Sequence, residues 1–182
     1  MENEFIVKSL NENNNLEFLE YMDQQFRDPK CLRSDWFDRS LDWCLQNRYK
    51  NYLYWSIVYF NKKIVAFSAI QDYEFKENTA RVCSRMYYDP SIRFSYNKKT
   101  YKDVITPVTP MMIDQFNYLK DKDYKYAIAT IESHRSKATL NIIANNINHK
   151  TGLTNFKVMP EKIQTFKGQL KKDFQHYMEH KF

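Results

Sequence analysis

The chain has 182 residues, of which 43% are hydrophobic and 16% aromatic, and its formal net charge is +6. This length fits a single domain over residues 1–182, and the apolar content is high enough to exclude a disordered chain. With only 2 glycines, Gly152 and Gly168, the chain contains no Rossmann turn, no P-loop and no G-x-S-x-G hydrolase turn.

Two helices are predicted in the N-terminal part of the chain. Residues 16–26 carry Leu, Phe and Met at helical spacing, which predicts an amphipathic helix. Ser34 is a good N-cap residue, and Asp35 places an acid in the first turn of a second predicted helix. Helices therefore precede the β-rich middle of the chain.

Three strands are predicted to follow as an antiparallel meander. Residues 52–60 are aromatic and β-branched, and Asn61 opens a tight turn into a partner strand at residues 64–73. Asn78 opens the next turn, which leads into a strand over residues 80–88. Strict alternation predicts one face with Ala80, Val82, Ser84, Met86 and Tyr88, and the other with Arg81, Cys83, Arg85 and Tyr87.

A long basic connector, residues 90–109, separates the meander from a predicted helix. Thr109 is placed as its cap and Pro110 in its first turn, and the helical spacing continues to Asp121. A strand is predicted over residues 124–131, and its almost continuous apolar centre, residues 126–131, is typical of a central strand buried on both faces.

The C-terminal part predicts one more helix, residues 136–149, with Gly152 as its terminator. Short strands are predicted at residues 156–159, 163–166 and 174–177. The chain is therefore expected to be α+β in layers, with a mixed, mostly antiparallel central sheet flanked by helices.

The cysteines and the N-terminus indicate where in the cell the protein is located, and the histidines bear on metal binding. The 3 cysteines have no C-x-x-C spacing and are interpreted as reduced thiols of a cytoplasmic protein. We expect no signal peptide, because the chain begins Met-Glu-Asn-Glu, and no membrane span, because its apolar runs are short. His176 and His180 would share a helix face, but the histidines form no zinc motif, so no metal is expected.

The order of elements, from about residue 5 to about residue 178, resembles the GNAT superfamily of N-acetyltransferases. Residues 86–93 read MYYDPSIR and are similar to the strand-ending hydrophobic-x-Pro-x-x-Arg segment of that family. In typical members this Arg, here Arg93, begins a Gly-rich loop whose N–H groups hold the pyrophosphate of coenzyme A. No glycine follows Arg93 here, and Lys98 and Lys99 offer point charges instead.

The resemblance implies an N-acyltransferase that uses acetyl-CoA and an amine acceptor of unknown identity. It implies that Met86, Tyr87 and Tyr88 form a main-chain edge for the pantetheine arm. It also implies that Arg93, Lys98 and Lys99 form an anion entrance. Glu132 ends the buried strand where the acyl group would arrive, and it is a candidate base together with His134. The following helix lacks the Tyr that serves many members as the acid for the departing thiolate.

Other interpretations stay open at this stage. Arg81 and Arg85 would hold a substrate carboxylate if their face is a cleft, or pair with Asp72 or Glu74 if it is half-exposed. The missing glycines and the missing helix Tyr also fit a GNAT-like fold used as a binding or interaction module. A third, weaker hypothesis is single-stranded nucleic-acid binding, which core packing of the aromatic residues disfavours.

Overall fold

The computed structural model describes residues 5–27, 52–89, 107–131, 156–164 and 174–182, with single positions between residues 141 and 152. Its strands are β1 (Ile6–Ser9), β2 (Tyr54–Phe60), β3 (Lys63–Asp72), β4 (Thr79–Tyr88), β5 (Tyr126–Ile131), β6 (Lys157–Gln164) and β7 (Phe174–Lys181). Two helices are described in these ranges, α1 (Asn15–Arg27) and α2 (Val108–Asp121). The strands form one 7-stranded sheet in the order β1-β2-β3-β4-β5-β7-β6.

Left-handed turn residues produce the predicted meander. Asn61 and Lys62 have φ values of 50° and 64°, so two consecutive left-handed residues join β2 to β3. This pair of conformations is typical of hairpin turns whose twist matches that of the strands. Asn78, with φ 51°, turns the chain into β4. Both β2–β3 and β3–β4 are antiparallel, which confirms the meander.

The two described helices pack on opposite faces of the sheet. Under α1, the buried side chains are Phe18, Leu19, Met22, Trp55, Ile57, Tyr59, Ile64, Phe67 and Ala69. Under α2, they include Met112, Phe116 and Leu119 from the helix and Ile70, Ala80, Val82, Ala127 and Ala129 from the sheet. The inner position of β5 is confirmed, because it pairs with β4 on one side and with β7 on the other.

Helix α2 begins earlier than the sequence predicts. The N-cap is Pro107, and no side chain caps the helix, whereas Thr109 was the predicted cap. Pro110 is the third helical residue, where its missing N–H does no harm because the first turn has no intrahelical acceptors. The N–H of Met111 donates to the carbonyl of Pro107 over 3.4 Å, which is the first bond of the helix.

The first strand and the last two strands differ most from the prediction. Strand β1 was not predicted, and β6 is one strand where two short ones were expected. Strand β7 extends past residue 177, so His176 and His180 lie on a strand and the predicted shared helix face is wrong. The described positions between 141 and 149 are helical, and Gly152 follows with φ 72°.

The predicted helix at Ser34 lies outside the described residues. In the described part of the chain, no helix is both long and apolar enough to cross a membrane.

Candidate functional site

Strands β4 and β5 are parallel neighbours that pair over only part of their length. The register pairs are Thr79 with Tyr126, Ala80 with Ala127, and Arg81 with Ile128. Beyond them, β4 continues to Tyr88 and β5 to Ile131, with no further pairing between the two strands in the described residues. We call the space between residues 82–88 and 129–131 the β4–β5 gap. It opens at the carboxyl ends of two parallel strands, where open sheets of this kind bind ligands.

Two bulges bend β4 along this gap. Gln71 pairs with Arg81, Ala69 with Ser84, and Phe67 with Tyr87. Each step of two residues on β3 therefore spans three residues on β4, which is the signature of one extra residue per step. Arg81, Ser84 and Tyr87 consequently share the face that carries α1, because partners in register point to the same side.

The bulges overturn the strict alternation expected of β4. Cys83 adopts φ 54° and packs with the cluster under α2, whereas Ser84 lies on the α1 side. Both residues are thus on the face opposite to the predicted one. An inserted residue reverses the order of faces along a strand, and no feature of residues 80–88 reveals it in sequence.

Gln115 of α2 holds the first bulge in place. Its side chain is 0% exposed, and its Oε1 accepts the N–H of Cys83 over 2.9 Å. Its Nε2 donates to the Oγ of Ser68 on β3 over 2.7 Å. Burial raises the pKa of the Cys83 thiol to about 12, so this thiol stays protonated and inert at neutral pH.

Asp114, the preceding residue of α2, joins the helix to β2. It accepts hydrogen bonds from the hydroxyl of Tyr54 at 3.2 Å and from the Oγ of Ser56 at 2.6 Å. Burial, followed by the charge of Asp114, raises the pKa of Tyr54. Two consecutive polar side chains thus fix α2 to β2, β3 and β4.

The N-terminus of α2 lies beside the end of β4. Val108 and Met111 belong to the same apolar cluster as Met86. The first turn of α2 contains no acidic residue. Among the described residues no side chain caps this N-terminus, and the positive end of the helix dipole lies near the end of β4, which favours an anion there.

Aromatic rings and hydroxyls form the α1 side of the site. The ring of Tyr87 stacks on Phe67 with centroids 5.6 Å apart, and the ring of Tyr21 lies 6.2 Å from that of Tyr87. Among the described residues, the hydroxyls of Tyr21 and Ser84 are buried and have no hydrogen-bond partner. Burial, then the nearby Tyr87 and Asp89, raises the pKa of Tyr21.

Arg81 lies where β4 and β5 separate, and it bridges them. Its Nε donates to the Oγ1 of Thr130 on β5 over 3.0 Å. Asp72, one of the two predicted partners of Arg81, accepts the hydroxyl of Tyr124 at 2.5 Å. The guanidinium therefore closes the base of the gap.

The structure places only part of the predicted site. Tyr87 and Tyr88 end β4, opposite Phe67 and Ala66 of β3, and Met86 precedes them. The other predicted residues, namely Arg93, Lys98, Lys99, Glu132 and His134, lie outside the described residues. No group of at least 3 His, Cys, Asp or Glu side chains in the described ranges has the arrangement of a metal site.

No pattern in the sequence marks Gln115, Ser84 or Tyr21 as a site residue. Gln115 nevertheless left a signal, because it is a polar residue in the apolar stripe formed by Met112, Phe116 and Leu119. A polar side chain at such a position needs a buried partner. The pattern does not identify that partner, since it lies on another element.

Comparison with known proteins gives a structural match and no sequence match. No protein-family model matches the chain, and the search of curated proteins found no match. An N-acetyltransferase from Staphylococcus aureus Mu50 superposes with a TM-score of 0.58 at 11% identity, covering 98% of both chains.

Two further structures agree with this match. A GNAT-family acetyltransferase from Staphylococcus aureus Mu50 superposes with a TM-score of 0.55 at 12% identity, covering 98% of this chain and 99% of that one. The PaiA N-acetyltransferase from Thermoplasma acidophilum, in complex with coenzyme A, has a TM-score of 0.53 at 12% identity and the same coverage. The chain therefore has the GNAT fold, as the sequence predicts.

Proposed function

We propose that this chain is an N-acyltransferase, which moves an acetyl or related acyl group from coenzyme A to an amine. The observation that carries the proposal is the β4–β5 gap, which leaves one edge of β4 beyond Arg81 without a neighbouring strand in the described residues. The GNAT fold supports it, and one structural neighbour holds coenzyme A.

The pantetheine arm fits the gap by its chemistry. It carries two amides in an extended chain, and an extended amide chain adds to an open strand edge as another strand would. Residues 86–88 of β4 would supply main-chain partners on this edge. The pyrophosphate would then lie near the N-terminus of α2, with Arg93, Lys98 and Lys99 as the proposed anion entrance.

The proposed reaction is an acyl transfer from a thioester to an amine. The neutral amine nitrogen attacks the thioester carbonyl, a C–N bond forms, the C–S bond breaks, and the thiolate of coenzyme A takes a proton. Main-chain N–H groups aimed at the developing oxyanion, together with positioning of the two reactants, would supply most of the rate. The proton of the attacking amine goes to a base, for which we propose Glu132, with His134 as the alternative.

Calorimetric titration with coenzyme A and acetyl-CoA tests the proposal. Both are expected to bind, and replacement of Arg93, Lys98 and Lys99 together by alanine should weaken binding while the melting temperature changes little. A matched control removes as many charges from exposed lysines near the other end of α2, namely Lys120, Lys122 and Lys125. The control should bind like the wild type.

One result would contradict the proposed acyltransferase, and another would contradict only its anion entrance. Absence of binding by the wild-type protein removes the acyltransferase and leaves the interaction-module hypothesis. Equal binding by the triple variant and the wild type removes the anion entrance.

A further inference from the structure

The two bulges of β4 create a row of side chains that regular alternation would not produce. Arg81, Ser84 and Tyr87 are three residues apart, yet all face α1. Tyr21 of α1 meets this row at Tyr87. The row borders the β4–β5 gap along its whole length, so that a molecule beside the thioester on this face would touch it.

Two buried hydroxyls beside the gap, those of Ser84 and Tyr21, are in an unusual state. Ser84 is 7% exposed, and neither its Oγ nor the hydroxyl of Tyr21 has a hydrogen-bond partner among the described residues. Most buried polar groups in proteins are paired, because an unpaired one destabilises the fold. The hydroxyl of Tyr59, on the same side of the sheet, is paired normally and donates to Glu17 at 3.0 Å.

The surroundings of the two hydroxyls define what would pair with them. Tyr21 and Tyr87 present aromatic rings of intermediate exposure, and Phe67 backs the ring of Tyr87. Asp89 follows β4 and acts electrostatically on Tyr21. Aromatic faces and a carboxylate attract an ammonium group, the rings accept an apolar or aromatic body, and the hydroxyls bind a neutral polar group.

We infer that Tyr21, Ser84 and Tyr87 line the acceptor site, and that the acceptor is a primary amine on a short apolar or aromatic body with a second, neutral hydrogen-bonding group. This inference rests on the proposed acyl transfer, since it assigns the second substrate of that reaction. The amide of an apolar amino acid has this chemistry, whereas a long polyamine has only short methylene chains between charged amines and no neutral polar group.

The first experiment measures binding and transfer with two probe amines. Phenylalanine amide and spermidine are titrated into the protein saturated with coenzyme A, and acetyl transfer to each is followed with acetyl-CoA. Phenylalanine amide is expected to bind and to react with a kcat/KM at least about tenfold that of spermidine, roughly the discrimination from one well-matched apolar group.

The second experiment removes single hydroxyls. Tyr21→Phe and Ser84→Ala should each raise the KM for phenylalanine amide about fivefold to tenfold, the usual effect of one hydrogen bond. The melting temperature of the free protein should stay constant or rise, because no existing bond is lost. Tyr59→Phe is the matched control, and it should lower the melting temperature and leave this KM unchanged.

The outcomes separate this inference from the proposed function. If coenzyme A does not bind, the acyltransferase itself is wrong. If coenzyme A binds but phenylalanine amide neither binds nor reacts, or spermidine reacts better, the acceptor class is wrong. If Tyr21→Phe and Ser84→Ala lower the melting temperature and leave the KM for phenylalanine amide unchanged, as Tyr59→Phe is expected to do, the two hydroxyls are structural and the acceptor site lies elsewhere.

Discussion

Replacement of Gln115 by leucine tests whether α2 determines the shape of the gap. Leucine is similar in size but offers neither the acceptor that Cys83 uses nor the donor that Ser68 uses. The variant therefore leaves a partly buried main-chain N–H and a buried hydroxyl without these partners. The N–H belongs to a residue with φ 54°, a conformation that strains a side chain other than glycine.

The size of the effect follows from these two orphaned groups. A buried polar group that loses its partner destabilises a protein by about 1–3 kcal/mol. We expect a loss of about 2–4 kcal/mol for the pair, because the Ser68 hydroxyl can rotate toward another acceptor. A domain of ordinary stability, about 5–15 kcal/mol, stays folded after such a loss.

Urea unfolding measures the stability, and hydrogen exchange measures the protection of the Cys83 amide. Gln115→Leu should expose this amide and weaken coenzyme A binding at least about fivefold, the equivalent of about 1 kcal/mol. Ser68→Ala is the control, because it removes only the hydrogen bond to β3 and should leave coenzyme A binding unchanged. Wild-type protection of the Cys83 amide in Gln115→Leu would refute the reasoning.

Three further predictions concern single groups. Glu132→Gln should lower the transfer rate at least about tenfold, which is less than a general base usually contributes. The Kd for coenzyme A should stay unchanged. Wild-type turnover by this variant would show that Glu132 has no role as a base. Because its pKa is raised to about 12, the Cys83 thiol should resist iodoacetamide at pH 8 until urea unfolds the chain, as followed by peptide mass spectrometry; rapid labelling of the native protein would contradict this. Burial lowers the pKa of His180, so the unfolded chain binds its proton more readily and stability should fall as the pH drops below the ordinary value of 6.5. His180→Phe should reduce this fall between pH 7.5 and 5.5 in urea titrations, and an identical fall in both proteins would contradict the assignment.

Local patterns predicted the centre of the fold. The apolar run of β5 required a strand covered on both faces, and Asn61 and Asn78 marked the turns of the meander because asparagine tolerates left-handed backbone. The edges were less predictable. Strand β1 has only 4 residues, and Ile6 is 56% exposed, so its sequence carries no clear alternation. In place of the two short strands predicted there, β6 is one edge strand that contains Pro160, at a position where proline is tolerated.

The site was less predictable than the fold because it depends on register. Whether Ser84 faces α1 or α2 depends on the extra residue at the bulge, and Cys83 adopts its left-handed conformation without being glycine or asparagine. The partner of Gln115 likewise depends on how α2 lies across β3 and β4. Such choices are made by tertiary packing, which local periodicity does not encode.

The short pairing between β4 and β5 also has a mechanical consequence. Among the described residues, three parallel residue pairs join the four-stranded half of the sheet to the half formed by β5, β7 and β6. The backbone therefore has a seam there, and the buried side chains of α2, which touch both halves, hold it closed. If the proposed ligand binds in the seam, it would add to β4 as an extra strand, and by mass action it would stabilise the folded chain by about 2.7 kcal/mol at 100 times its Kd. Amide exchange should then slow most in residues 82–88 and 129–131 and least in β1 and β2, far from the seam.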